Sequence, residues 1–233
     1  MIATKDFIFI HVPKTGGTFV MKILDELYKN DIKEIADKHA YSKDIPDIYR
    51  EFPKVLCLRD PLEWYESHYL YGWWRRYPET FPGFSKIDVD NLSFFDFIIK
   101  WNSYWAGDLD DFADENKYFG KLSYVTILYI FDNPNPLIED IRKNGSAGFW
   151  ERNPLPKNIT ILNTKNLNND LYNFLTDFIE DDRLKKISLK EKKRVRPEDD
   201  PRGESEIETK KPKELIEYVE KREIILKELL EKL

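Results

Sequence analysis

The sequence predicts an α/β fold in which a central parallel sheet is flanked by helices. Two short apolar runs, 7–12 (FIFIHV) and 54–59 (KVLCLR), each have the length and β-branched or aromatic content of a buried strand. Each is followed by a turn and then by apolar residues at helical spacing. Strands that alternate with helices build parallel sheets, because a parallel neighbour needs a crossover long enough to hold a helix. The 233 residues suit one such domain across 1–233, and a 41% hydrophobic, 15% aromatic composition supplies its core and excludes wholesale disorder.

Residues 7–12 form the first strand, which one proline and two glycines in 13–17 interrupt before Phe19, Ile23, Leu24 and Leu27 mark a helix face. A weak strand near 32–36 leads to a short helix within 42–52. After the strand at 54–59, Asp60-Pro61 opens the next helix, since proline is tolerated in a first turn. Residues 72–92 carry glycine, proline and aromatics without a period and read as irregular. A helix over 93–105 follows, then strands at 123–131 and 159–163, separated by a loop-rich stretch holding Pro134, Pro136, Gly145, Gly148, Pro154 and Pro156. A helix at 169–180 continues the alternation. The polar, highly charged 185–211 is expected to be flexible. Behind Pro212, residues 212–233 place Leu215, Val219, Leu226, Leu229 and Leu233 on one stripe, a helix that docks on the main domain.

The chain has 37 basic and 43 acidic residues, a net −6, which argues against a nucleic-acid coat protein or a polybasic membrane binder. An anionic ligand must therefore meet a local positive site. No apolar run reaches the length of a signal-peptide core or a membrane span, and the lone Cys57 has no partner for an internal disulfide. These features lead us to expect a soluble, cytoplasmic protein.

Residues 11–19 (HVPKTGGTF) join a strand to a helix start, where unsatisfied N–H groups and the helix dipole favour an anion. Gly16 and Gly17 let backbone close around a phosphate, Lys14 adds a point charge, and Thr15 and Thr18 add hydroxyl donors. The lysine precedes the glycines, so the loop lacks Walker A spacing. Alone, K-T-G-G-T fits a tight turn equally well. A second junction, 58–69 (LRDPLEWYESHY), puts Arg59 at a strand's carboxyl end, suited to bidentate phosphate contact, with Ser67 two helical turns on. Read by itself it fits an Arg59–Asp60 surface pair. Ligands of open α/β sheets gather at such strand ends.

Together the two segments resemble the PAPS-dependent sulfotransferases of the carbohydrate type, including the heparan sulfate 6-O-sulfotransferases and related bacterial or viral proteins. The P-K-T-G-G-T loop matches that family's 5′-phosphosulfate loop, and R-D-P-x-x-x-x-x-S its 3′-phosphate segment. The resemblance spans residues 7–71 and is weaker at 161–171 (ILNTKNLNNDL), where Lys165 replaces a usual acid. It implies a P-loop-type three-layer domain. It also implies that Lys14 contacts the 5′-phosphate and bridging oxygen, that Thr15, Gly16, Gly17 and Thr18 wrap that phosphate, and that Arg59 and Ser67 hold the 3′-phosphate of PAPS, the co-substrate. Trp64 stands where many relatives have a basic residue, either packed in the core or stacked on the nucleotide.

Sulfuryl transfer to a hydroxyl, or to an amine to give a sulfamate, needs in-line approach, charge stabilisation on the leaving phosphate and a base. Among the three histidines, His11 ends the first strand and has a packed or loop-orienting role, while His68 neighbours Ser67. His39 follows the weak second strand, near the converging strand ends, and titrates in the right range for a base. The resemblance favours His39 too, through the His-Ala pair of the 6-O-sulfotransferases. Asp37, Asp44 and Glu66 are the carboxylate alternatives. The scheme asks for no metal, because Lys14 and oriented N–H groups neutralise the leaving phosphate, and no H-E-x-x-H or C-x-x-C pattern occurs.

Between 185 and 196 seven basic residues meet one acid, which reads as a solvated surface or as a flap in which Lys193, Arg194 or Arg196 touches the 3′-phosphate. The aromatics Tyr69, Tyr71, Trp73, Trp74, Tyr77 and Phe81, with Arg75 and Arg76, are either core or a platform for a carbohydrate or small hydroxylated acceptor. Two rival functions stand beside sulfuryl transfer. One is a P-loop nucleotide kinase, in which Asp60 is a Walker B-like acid; the other is a non-catalytic nucleotide-binding protein.

Overall fold

A computed structural model describes residues 1–80, 84, 91–107, 119–185 and 209–233. Its five strands are β1 (Ile2–Ala3), β2 (Ile8–Ile10), β3 (Lys33–Glu34), β4 (Lys54–Leu58) and β5 (Ile159–Asn163), ordered β3-β1-β2-β4-β5 across one sheet. β2, β4 and β5 run parallel, in the register Ile10↔Leu56 and Leu58↔Asn163. β1 is antiparallel to both β2 and β3, so the expected parallel sheet is a mixed one. The parallel part is where the crossovers are long. The antiparallel part is a tight return from β1 to β2, in which the Thr4 hydroxyl accepts from the Asp6 and Phe7 N–H groups.

The strands read as unbroken apolar runs because both faces of the sheet are covered. Phe7, Phe9, Val55 and Cys57 pack on α1 (Gly17–Tyr28), through Val20, Ile23 and Leu24. Ile8, Ile10, Leu56 and Leu58 point the other way, into a larger core built with α2 (Pro61–Tyr71), α3 (Trp73–Arg76), α4 (Phe94–Gly107) and α5 (Lys121–Ile130). After α6 (Asn135–Asn144) and α7 (Phe149–Arg152), which extend that larger core, β5 is followed by α8 (Leu167–Leu175) and α9 (Asp181–Leu184) on the α1 side. The chain ends with α10 (Lys213–Arg222) and α11 (Ile224–Glu231) over α2 and α5. The architecture is α/β, a five-stranded mixed sheet with helices on both faces.

Four expected elements differ, and the stretch between 131 and 159, expected to be loop-rich, carries the helices α6 and α7. Residues 123–130 are helical, not a strand, with Phe131 extended: Leu122, Thr126 and Tyr129 lie on one buried face and Ser123, Ile127 and Ile130 on the next, so burial all round erases the amphipathic period. The expected helix in 42–52 is two 3₁₀ turns, Ser42–Asp44 and Asp47–Tyr49, separated at Pro46. The helix expected at 169–180 is α8, which starts and ends earlier. The C-terminal stripe is two helices broken at Glu223, whose side chain is fully buried. Of the segment 185–211, residues 186–208 lie outside the described residues, and with them Lys193, Arg194 and Arg196. Among the described residues no helix is long and apolar enough to cross a membrane.

Candidate functional site

Since β2 and β4 are parallel neighbours, the 11–17 loop and Arg59 leave the same edge of the sheet on adjacent strands, roughly 5 Å apart. β5 extends that edge: the Thr164 N–H donates to the Leu58 carbonyl (2.9 Å), and a cleft of about 280 Å³ opens there, lined by Asp60, Glu63, Asn163, Thr164, Lys165 and Lys227.

The loop is held in an unusual backbone shape. Lys14 and Gly16 both have positive φ, 64° and 87°, and α1 starts directly after Gly16. The left-handed conformation is costly for a lysine, so surrounding contacts must enforce it. Three do. The buried Thr15 hydroxyl donates to the Val12 carbonyl (2.9 Å), the Trp64 indole N–H donates to the Pro13 carbonyl (2.8 Å), and the His11 imidazole lies so close under Gly17 that any Cβ there would land on its Cδ2 and Nε2. Thr15 therefore has its hydroxyl committed to the loop and faces an anion only with its N–H. Thr18, by contrast, is exposed on the first turn of α1. Trp64 is 1% exposed, which places it in the core as a tether for the loop rather than as a nucleotide platform.

At the second junction Asp60 is not the partner of Arg59. Its carboxylate caps α2 by accepting the Glu63 N–H (3.0 Å), while Arg59 Nε donates to Glu63 Oε2 (3.1 Å). Ser67 is half-buried on the same helix. The neighbouring Glu66 accepts from the Thr209 hydroxyl and from Lys211 Nζ (3.0 Å), so the stretch that leads into α10 is anchored on α2.

The three histidines converge on this edge. His39 Nδ1 lies 3.0 Å from the His11 carbonyl, and a carbonyl can only accept, so Nδ1 carries the proton and Nε2 keeps its lone pair. His39 is exposed at the rim of the site, yet partial desolvation of its ring lowers its pKa below the ordinary value, against the raising effect of that hydrogen bond. The rings of His11 and His39 meet edge to face, with centroids 4.9 Å apart. Burial, with help from the nearby His39 and Lys38, takes His11 down to about 3. His68 packs edge-on against Trp101 (4.6 Å), and burial followed by the charges of Lys14 and Lys121 holds it well below 6.5. Of the carboxylate alternatives, Asp44 accepts from the Tyr41 N–H, Glu66 is engaged as above, and Asp37 is exposed.

The aromatic segment divides. Tyr69 and Trp74 are buried core, Trp73 and Tyr77 are 42% and 38% exposed, and Phe81 lies outside the described residues. Comparison with protein-family models, curated proteins and solved structures finds no match. The site is thus read from its own geometry. Sequence reasoning named Trp64 and Tyr71 but passed over what they touch: the Trp64 indole on the Pro13 carbonyl and the Tyr71 ring, whose centroid lies 3.6 Å from Lys14 Nζ. A signal for both was present: positions 64, 68 and 71 share one face of a helix, and all three are aromatic or imidazole rings.

Proposed function

We propose that the chain is a PAPS-dependent sulfotransferase built on a P-loop-type three-layer fold. One observation carries the reading: two anion-suited strand-to-helix junctions lie side by side on adjacent parallel strands, and the Trp64–Pro13 hydrogen bond ties the second to the first. A nucleotide with phosphates at both ends of one adenosine is a ligand that uses both.

In this reading Lys14 and the N–H groups of 15–18 receive the 5′-phosphosulfate, while Arg59 exchanges Glu63 for the 3′-phosphate and Ser67 adds a hydroxyl donor. The acceptor is a hydroxyl of a carbohydrate or small molecule. Its oxygen attacks sulfur as its proton passes to His39 Nε2. The bond between sulfur and the phosphate oxygen breaks, its electron pair stays on that oxygen, and adenosine 3′,5′-bisphosphate leaves. Lys14 and the loop N–H groups stabilise the charge that develops there. The kinase reading loses support because Asp60, its Walker B-like acid, serves as the cap of α2.

The test is transfer of labelled sulfate from PAPS by the EDTA-treated chain to acceptors in a glycan and metabolite extract. His39→Ala is expected to lower turnover by about 10²–10⁴-fold, the worth of one positioned base, with bisphosphate affinity unchanged. A requirement for magnesium together with phosphate transfer from ATP would establish the kinase instead. Bisphosphate binding with no transfer to any acceptor would leave the non-catalytic reading.

A further inference from the structure

Lys14 combines a left-handed backbone with a side chain that ends on an aromatic face, the Nζ standing 3.6 Å from the centroid of Tyr71. Tyr71 is itself fixed. It is the last residue of α2, its carbonyl accepts from Arg76 Nη2 (3.2 Å), and the Arg76 guanidinium carbon lies 5.3 Å from its ring centroid. Trp73 lies parallel to it, with 5° between the planes and 6.1 Å between centroids. The Tyr71 hydroxyl has no hydrogen bond among the described residues, so the ring and not the phenol is what the neighbourhood uses.

We infer that Tyr71 is a positioning residue for Lys14, holding the ammonium at the mouth of the 11–17 loop before the anion arrives and throughout its stay. An ammonium has three N–H donors, and a ring face engages only one side of it, so the contact with Tyr71 is compatible with N–H donation to phosphate oxygens from the other. A lysine stem has many rotamers, and a cation held by its ring needs less ordering when phosphate binds. Tyr71 also links the two junctions: it sits at the far end of the helix that Arg59 and Asp60 begin, so movement of α2 moves Lys14's seat. The inference rests on the sulfotransferase reading only in taking the anion to be a nucleotide phosphate.

The experiment uses the intact chain with ¹³C-labelled, chemically unmodified lysines and the Lys14 Hε signal assigned by its loss in Lys14→Ala. In the wild type that signal is expected upfield of the other lysine Hε signals through the Tyr71 ring current, and to stay upfield when adenosine 3′,5′-bisphosphate is added. Tyr71→Leu should return it to the bulk position and weaken bisphosphate binding by about three- to tenfold, the range a partly desolvated cation–π contact supports. Tyr71→Phe, which keeps the ring face, should preserve both the shift and the affinity. A purely packing role for the ring would also survive in Phe, but it would leave the Lys14 signal at the bulk position in both chains. A Lys14 signal in the bulk position in the wild type overturns the inference, as does a Tyr71→Leu chain that binds as tightly as the wild type. An upfield signal in a wild-type chain that binds no bisphosphate overturns the nucleotide reading and supports the Tyr71–Lys14 contact.

Discussion

His11 does three things from one position: its carbonyl sets the tautomer of His39, its ring packs under Gly17, and its imidazole resists protonation because it is buried. Two expectations follow at this scale. Gly17→Ala forces His11 or the first turn of α1 to move, and should cost roughly 1–3 kcal/mol, the range for overpacking a tight site, measured by urea denaturation. The pH dependence follows from the lowered pKa of His11, about 3 in the folded chain against 6.5 in an unfolded one. The unfolded state binds the proton first, so stability from this group is complete above pH 6.5 and declines as pH falls from there toward 3, by at most about 1.4 kcal/mol per pH unit. His11→Asn should flatten that slope in denaturant titrations run across the window, and an unchanged slope would contradict the buried imidazole. With His39 as the proposed base, its lowered pKa has the same sign for turnover and predicts an acid limb of the rate profile below pH 6.5. The place of this loop and of Arg59 at the ends of two strands was legible from sequence, because strand, turn and helix start are set locally. The commitment of the Thr15 hydroxyl to Val12, and the reach of Trp64 to a carbonyl 51 residues away, depend on how the chain returns, which no local spacing encodes.

Among the elements, the break between α10 and α11 shows how a tertiary contact overrides a sequence period. Leu215, Val219, Leu226 and Leu229 fit one continuous stripe, yet the helix stops so that the Glu223 carboxylate can enter the core. There it accepts from the Tyr65 hydroxyl on α2 and from the N–H groups of Leu122 and Ser123 (3.1 and 2.6 Å), capping the start of α5. Burial raises its pKa and that of Tyr65, and the fully buried pair is joined by Asn102, whose amide donates to the Tyr65 oxygen (2.9 Å). Glu223→Ala would strand several buried donors at about 1–3 kcal/mol each, so a loss of about 3 kcal/mol or more is expected in urea denaturation. Glu223→Gln keeps an acceptor for part of the set and should lose less. Equal losses for the two variants would contradict a role based on accepted hydrogen bonds. The same cap explains why 121–130 misled sequence reasoning: Val125, Thr126, Ile127 and Ile130 suggest a strand, but a helix buried on several faces and capped by a distant carboxylate can afford them. By contrast 7–12, 54–59 and 159–163 were plain in the sequence, since strands covered on both faces leave little but apolar residues. The two-residue β1 was too short for any pattern to announce.

Across the whole molecule, α2 connects the parts. Arg59 and the Asp60 cap stand directly before its first turn, its middle holds Trp64 on the Pro13 carbonyl and Tyr65 on Glu223, and its end seats Lys14 on Tyr71. Glu66, with Thr209 and Lys211, adds the start of the C-terminal helices to the same bar. Both strand-to-helix junctions are therefore fixed to one helix as well as to neighbouring strands, which is what the proposed ligand spanning the two would require. The measurement that bears most directly on this account is calorimetric titration of adenosine 3′,5′-bisphosphate into the EDTA-treated wild type, Lys14→Ala and Arg59→Ala. The account predicts one site per chain in the wild type and binding at least about tenfold weaker in each variant, since each removes a charge-assisted contact to a different phosphate. Unchanged affinity in both variants, or no binding by the wild type, would contradict it.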